Sequence, residues 1–471
     1  MRLIVFEYGC VNRRRIRMIK ESNNKDLYIV FSKKDYNKLV YYKQNVNLVT
    51  EDSIFSVGQN EDIIKEVTEQ TNNIFQEIKE EVNKEYYNYI SSFRNVIYWI
   101  VKRSGVIKKI ISSFIEKNGI DSILLFGKRT KYHYNDYIIK MGFLFTKYGE
   151  DIYEVLKELA LKNNITFKIL ECRRMITKII SYSLLYIVEI LKRYCRPIYI
   201  YRNNHNNDHE NILFLIRGNT HFNYFNTIFE NKRELYNYML IVDGFYKIDI
   251  PNNEYTKIGK INNITNGNKI DPNIINTVKR VLIQNETDYS VFCFLLKLYY
   301  GFYNIIKKQI DLFQIKLYIN FEETTYFSAL FTNILKEDNI KSVTIQHGYT
   351  AVIDATLPLL SDYRFVWGNK TKSMYIDFGE NKRNIICIGE ELFSINNNTN
   401  TERKDIYIIC GFQKDYIYLA EWIIDILKSV LANQKNSKIV ISFHPYQKNI
   451  QTIRKIIDIN YYNTISRYVY R

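Results

Sequence analysis

From Ile212 onward the chain repeats one unit: a short apolar run, a polar loop, then a stretch with helical spacing. The runs are Ile212–Ile216, Met239–Val242, Lys316–Asn320, Ser342–Ile345, Arg364–Trp367 and Asn384–Ile388. The helical stretches run from the Gly218 loop to about Leu235, over Thr277–Leu282 and Val291–Gln309, and from Glu322-Glu323 to about Lys336. Strands separated by crossover helices pair in parallel, so this rhythm predicts an α/β chain with a mostly parallel, doubly wound sheet.

The first 200 residues read as a separate α/β region. Strands are expected at Leu3–Glu7, Leu27–Phe31, Ser122–Phe126, Thr166–Leu170 and Ile198–Tyr201, and an exposed helix over Glu61–Tyr89. Residues 202–211, RNNHNNDHEN, are Asn-rich and aperiodic, which suits a linker. A second polar run, SINNNTNTERK at 394–404, precedes strand Asp405–Cys410, helix Tyr416–Ala432 and strand Lys438–Phe443. The expected organisation is an N-terminal accessory region (1–201), a linker (202–211), a Rossmann-like unit (212–393) and a partial one (405–471). After Pro445 there is room for little more than a helix and a strand, less than a nucleotide-binding domain needs.

At 471 residues and 46% apolar composition the chain can bury several cores, which excludes a disordered or a small cross-linked scaffold. The formal charge of +16 sits in a sequence loaded with Lys, Asn, Ile and Tyr, and its cations are spread without a recognisable nucleic-acid module. No nucleic-acid partner is therefore expected. The six cysteines include no CxxC pair, and Cys293, Cys387 and Cys410 lie in apolar runs, as reduced core residues do. The N-terminus places Arg13-Arg14-Arg15 after its short apolar run, the wrong order for a signal peptide, so a cytoplasmic location is expected. The tract Met175–Leu191 carries Lys178 and Glu189 and reads as a buried helix. Val96–Ile115 is amphipathic and basic, a helix with a solvated charged face or one lying on the inner face of a membrane.

In parallel sheets ligands bind beyond the carboxyl ends of the strands. Polar residues leaving a strand there are Glu322-Glu323, Gln346-His347-Gly348 and His444-Pro445, with Arg217-Gly218 leading to His221, and Asp243-Gly244, behind them. Glycine lets the backbone approach a ligand, and histidine supplies a donor or a base near neutral pH. Glu322 and Glu323 suit a general base or a pair placed against a helix dipole, while Asp243-Gly244 is a rival base or a turn. No P-loop, zinc spacing, HExxH or GxSxG occurs.

The segments SVTIQHGY, SDYRFVWGNKTKSMYIDFG, NIICIGE and KIVISFHPYQ, in that order, resemble surface-polysaccharide glycosyltransferases of the two-domain GT-B type. These are bacterial capsule and surface-carbohydrate enzymes, with CDP-glycerol glycerophosphotransferases and some sialyltransferases as distant relatives. The resemblance covers about residues 211 to 450. It implies two facing Rossmann-like domains, a nucleotide-sugar donor as co-substrate and a polysaccharide or lipid-linked glycan acceptor, with no cofactor and no metal. On it, Gln346, His347 and Gly348 line the cleft, Gly218 and His221 join them on the acceptor side, and His444 meets the donor phosphate. His347, Glu322, Glu323 and Asp243 are the expected catalytic residues. Such enzymes continue past the His-Pro strand with further αβ units, so the alternative expectation is a truncated, non-catalytic remnant or scaffold subunit.

Overall fold

A computed structural model describes residues 1–6, 11–18, 26–31, 33–43, 45–49, 61–127, 152–171, 197–204, 210–229, 235–243, 248–261, 269–285, 287, 289–310, 313–323, 325–346, 359–389, 406–410, 416–433, 439–443, 447, 449–461 and 468–470. Three sheets organise the chain.

The first is a five-stranded parallel sheet in the order β3-β2-β1-β4-β5, formed by Arg2–Phe6, Leu27–Val30, Val46–Leu48, Ser122–Gly127 and Thr166–Glu171 as β1 to β5. This is the strand order of a doubly wound nucleotide-binding sheet, with its reversal between β1 and β4. β1 is apolar on both faces, Leu3 to Phe6 being fully buried, as a central parallel strand must be. α1 (Arg13–Met18), α2 (Lys33–Val40) and α6 (Ile152–Lys162) belong to this unit.

Helices α3 (Glu61–Glu81), α4 (Lys84–Ser91) and α5 (Arg94–Asn118) lie between β3 and β4 in the chain but serve two cores. The stretch Glu61–Tyr89, expected as one exposed helix, is two: Asn83 caps α4 by accepting the Tyr86 N–H at 3.0 Å. Its apolar stripe, Ile63, Val67, Ile74, Phe75 and Ile78, is buried against the second sheet. α5 continues the theme: Val96, Ile97, Tyr98 and Val101 pack on the second sheet, whereas Ile107, Ile111 and Ile115 pack under the first. The apolar face of Val96–Ile115 is thus consumed inside the protein, which corrects its reading as a membrane-surface helix. Lys102 is buried over the Trp99 ring, and Lys108 pairs with Glu158 of α6.

The second sheet has eight strands in the order β13-β12-β11-β10-β7-β8-β6-β9. They are Ile198–Asn203 (β6), Asn211–Ile216 (β7), Asn237–Asp243 (β8), Tyr255–Ile261 (β9), Ile315–Asn320 (β10), Lys341–Ile345 (β11), Tyr363–Val366 (β12) and Ile385–Cys387 (β13). β6 runs antiparallel to both β8 and β9, and the other pairings are parallel. α7 (Asn219–Phe229), α8 (Pro272–Gln284), α9 (Ser290–Ile310), α10 (Tyr326–Glu337) and α11 (Asn369–Asp377) connect them. The 202–211 run joins β6 to β7 within this sheet; its residues 205–209 lie outside the described residues. One sheet face carries Leu213, Leu215, Met239, Ile241 and Tyr318 into the core under α3 to α5, and the other carries Phe214, Ile216, Leu240 and Val242 beneath α7.

The third sheet, β14 (Ile406–Cys410), β15 (Ile439–Phe443) and β16 (Tyr468–Tyr470), is parallel and packs against α12 (Tyr416–Asn433) and α13 (Ile450–Tyr461). The expected α/β class with doubly wound parallel sheets is what the chain adopts. Cys293 and Cys410 are buried as expected, but Cys387 is exposed, because β13 is an edge strand with one side open to water. Met175–Leu191 falls outside the described residues. Among those described, no helix is long and apolar enough to cross a membrane.

Candidate functional site

The second sheet reverses direction of winding between β7 and β10: the chain leaves β7 for β8 on one side and returns to β10 on the other. A crevice opens at such a point, beyond the carboxyl ends of the two strands. The register decides what stands there. Leu215 is level with Ile241 of β8 and Asn320 of β10, and Asn320 is level with Thr344 of β11. Side chains return to the same face every second residue. Two residues beyond these, at or past the strand ends, come Asp243, Arg217, Glu322 and Gln346.

Three of these form a charge cluster. Arg217 Nη1 donates to Glu322 Oε2 at 2.9 Å and to Thr325 Oγ1 at 2.6 Å, and its Nε lies 3.8 Å from Asp243 Oδ2. The guanidinium also faces the Phe327 ring, 5.5 Å from its centroid. Thr325 is the N-cap of α10 and accepts the Ser328 N–H, so the arginine joins the end of β7 to the start of that helix. The carboxylates differ in access: the side chain of Asp243 is 2% exposed and that of Glu322 is 12%, against 6% for Arg217. Glu322 is the member of the cluster that reaches toward solvent. Neither it nor Glu323 lies in α10, whose first turn begins at Tyr326.

Gly218 has φ of 147°, a conformation that disfavours side chains, and it turns the chain from β7 into α7. In the first turn of that helix His221 is buried, and its Nδ1 accepts the Arg217 backbone N–H at 3.3 Å. A ring nitrogen that accepts carries no proton, so Nε2 is the donor of a neutral His221.

Glu323 points away from this cluster into a second one. It is buried, and Oε2 meets Arg364 Nη2 at 2.5 Å while Oε1 accepts the Ser361 N–H at 2.9 Å. The Thr344 hydroxyl lies 2.5 Å from Glu323 Oε1 and 2.8 Å from Asn320 Oδ1. It has one proton, and the ionised carboxylate is the stronger acceptor. Burial alone would raise the Glu323 pKa, but the Arg364 charge and the Ser361 and Thr344 hydrogen bonds hold it below the ordinary carboxylate value. Arg364 is also hydrogen-bonded to the Tyr375 hydroxyl. A carboxylate so enclosed has no route to a substrate proton. Glu323 is therefore a tie between β10, β11 and β12, which corrects its expected role as a base.

Gln346 follows β11 and is likewise committed. Its N–H donates to Phe365 O at 2.9 Å, its Oε1 accepts the Trp367 N–H at 2.9 Å, and its carbonyl accepts from Trp367 Nε1 at 2.8 Å. The indole N–H is shared with the Tyr224 hydroxyl at 2.8 Å. The side chain thus fixes where the chain leaves β11, a different task from lining a cleft. His347, Gly348 and Gly244 lie outside the described residues, as do His444 and Pro445. Of the expected site residues, Asp243, Glu322, Gln346, Gly218 and His221 lie at or just past the carboxyl ends of β8, β10, β11 and β7.

Two arginines that hold this region together are less evident in the sequence. Arg217 stands there only as a loop residue beside Gly218. Arg364 left a clearer signal, a charge between Tyr363 and Phe365 in an otherwise apolar strand, which must find a buried counter-ion.

No protein-family model matches the chain, and no curated protein matches it. Among solved structures, UDP-GlcNAc 2-epimerase from Neisseria meningitidis, bound to UDP-GlcNAc, is 13% identical, over 55% of this chain and 71% of that one, with a TM-score of 0.31. At that score the likeness carries no weight for function.

Proposed function

We propose that this chain is a nucleotide-sugar-dependent glycosyltransferase that builds a surface polysaccharide or a lipid-linked glycan. The observation that carries the reading is the Arg217–Glu322–Asp243 charge cluster at the switch point of a doubly wound sheet. The ordered resemblance of the segments around Gln346-His347-Gly348 and His444-Pro445 to GT-B surface-polysaccharide transferases supports it. In this reading the 212–393 unit takes the acceptor and the 405–471 unit meets the donor.

Glu322 is the base that removes the acceptor hydroxyl proton, since it is the cluster's most exposed carboxylate. Asp243, almost wholly enclosed, supplies the counter-charge on the far side of Arg217. In this reading His347, next to Gln346 in the sequence, takes part in the same step, and His444 donates to the departing phosphate. No step is routed through a metal ion.

The test is titration calorimetry with UDP-, GDP-, CDP- and CMP-sugars on the full chain. One of these should bind, and His444→Ala should weaken that binding about tenfold, the loss of roughly one charge-assisted hydrogen bond. Silence across the whole panel would remove the transferase reading.

A further inference from the structure

We infer that the turn closing α2, Val40-Tyr41-Tyr42, together with the exposed cations of α1 and α2, is a docking surface for an anionic lipid bilayer. The inference goes beyond the transferase reading and does not need it, although a lipid-linked acceptor would lie at such a surface. Val40, Tyr41 and Tyr42 are 45%, 83% and 42% exposed. Single exposed apolar residues are ordinary, but three in succession, two of them aromatic, mark a contact. The turn beneath them is firm: the Tyr42 and Lys43 N–H groups both donate to Leu39 O at 2.9 Å, and Leu39 is fully buried. The two rings meet edge to face, 4.8 Å between centroids. α12 packs against α2 and still leaves this turn open.

The charge around the turn has one sign. Residues 13–43 hold ten lysines and arginines against three acidic residues, a net +7 of the chain's +16. α1 contains no acidic residue, and the one in α2, Asp35, is buried with Lys38 4.0 Å away, so neither helix exposes a carboxylate. Arg14, Arg17 and Lys38 are exposed. Ile16 of α1 and Leu39 of α2 share the core on one face of the first sheet, which sets the two helices side by side. Each runs from the carboxyl end of one strand back to the amino end of the next, so Arg17, Lys38 and the tyrosines stand at the same end of the sheet. A bilayer with acidic headgroups fits both properties. Its negative surface potential attracts the cations, and tyrosine settles where headgroups meet acyl chains, with Val40 beside it. Single-stranded nucleic acid would use the cations, but rings set edge to face offer no platform on which successive bases could stack.

The test is flotation of the full chain with vesicles of phosphatidylcholine, alone or mixed with phosphatidylglycerol, at low and at physiological salt. Only the acidic vesicles should carry the protein, and less of it as salt rises. The double variant Arg17→Gln, Lys38→Gln should bind them about thirtyfold more weakly, roughly fivefold for each cation. Tyr41→Ser with Tyr42→Ser should lose about tenfold, the rings no longer leaving water. As a control, Lys65→Gln with Lys308→Gln removes the same charge from exposed positions on α3 and α9 and should change binding by about twofold at most. A Tyr41→Trp variant, at an exposed position that tolerates the larger ring, reports the contact directly. Its emission should shift to the blue on acidic vesicles and be quenched by brominated acyl chains beyond the quenching of the wild type. Failure to bind acidic vesicles, an equal loss in the Lys65 and Lys308 control, unchanged Tyr41→Trp emission, or capture of polyuridylate in place of vesicles would each overturn the inference. None of these results bears on donor binding, which the calorimetry decides separately.

Discussion

Breaking the Glu323–Arg364 pair is the perturbation whose size the structure defines best. Glu323→Gln keeps the side-chain shape and one acceptor for the Ser361 N–H, but it leaves the Arg364 guanidinium buried against a neutral amide. Losing one partner of a buried ion pair costs about 3–5 kcal/mol, and the cost falls on the segment that must open to rehydrate the survivor. That segment is β10 to β12, since the carboxylate joins all three strands. Opening should become roughly 10² to 5 × 10³ times more favourable there. Because the chain holds three sheets, one melting curve would not isolate the effect, and amide hydrogen exchange is the suitable assay. The backbone amides of Ser342 to Ile345 and of Ser361 should lose that factor of protection, while β1 to β5 keep theirs. A Glu323→Met, Arg364→Met double variant should lose less than either single variant, since no charge is stranded. The pH dependence has a fixed sign: with its folded pKa held below the unfolded value of about 4.3, Glu323 stabilises the sheet above that pH. The contribution disappears as pH falls through the folded pKa, and Glu323→Gln should remove that part of the acid sensitivity. Exchange within threefold of wild type in Glu323→Gln would refute the reasoning.

Two simpler expectations follow from local geometry. Gly119 ends α5 with φ of 58° and nothing lies near a side chain placed there, so Gly119→Ala should cost only the backbone term, about 1 kcal/mol, read as faster exchange in the last turn of α5. Burial pushes the Cys410 thiol up to about 11, whereas Cys387 is exposed on its edge strand. Iodoacetamide at pH 8 should label Cys387 well ahead of Cys410 by peptide mass spectrometry, and equal rates would contradict the packing of β14.

Much of the second sheet was legible because its strands are buried on both faces and so read as unbroken apolar runs, Asn211–Ile216 and Asn237–Asp243 above all. Legibility fell at the edges. β9, YTKIGKI, is interrupted by exposed Lys257 and Lys260, as an edge strand is to resist pairing, and it lacks the run that marks a central strand. β3 has three residues, all half-buried, and was equally silent. Strand order was beyond reach, since pairing is set by contacts between segments far apart in sequence. The charges of Glu61–Tyr89 suggest a solvated helix, because the sequence alone shows no surface for the stripe Ile63, Val67, Ile74 and Ile78 to meet.

The site shows the same division between local and distant information. A polar residue leaving an apolar strand can be found by inspection, and that filter reached Asp243, Glu322, Glu323 and Gln346. It cannot say which way a side chain turns. Glu322 and Glu323 are chain neighbours just past the end of β10. One meets Arg217 of the β7 end and the other meets Arg364 of β12, partners 105 and 41 residues away. Identical side chains, one position apart, thereby stand in different surroundings: Glu322 keeps 12% exposure beside Arg217, and Glu323 is enclosed with Arg364. What separates them is the cation each encounters and the water each retains, and both are properties of the folded sheet.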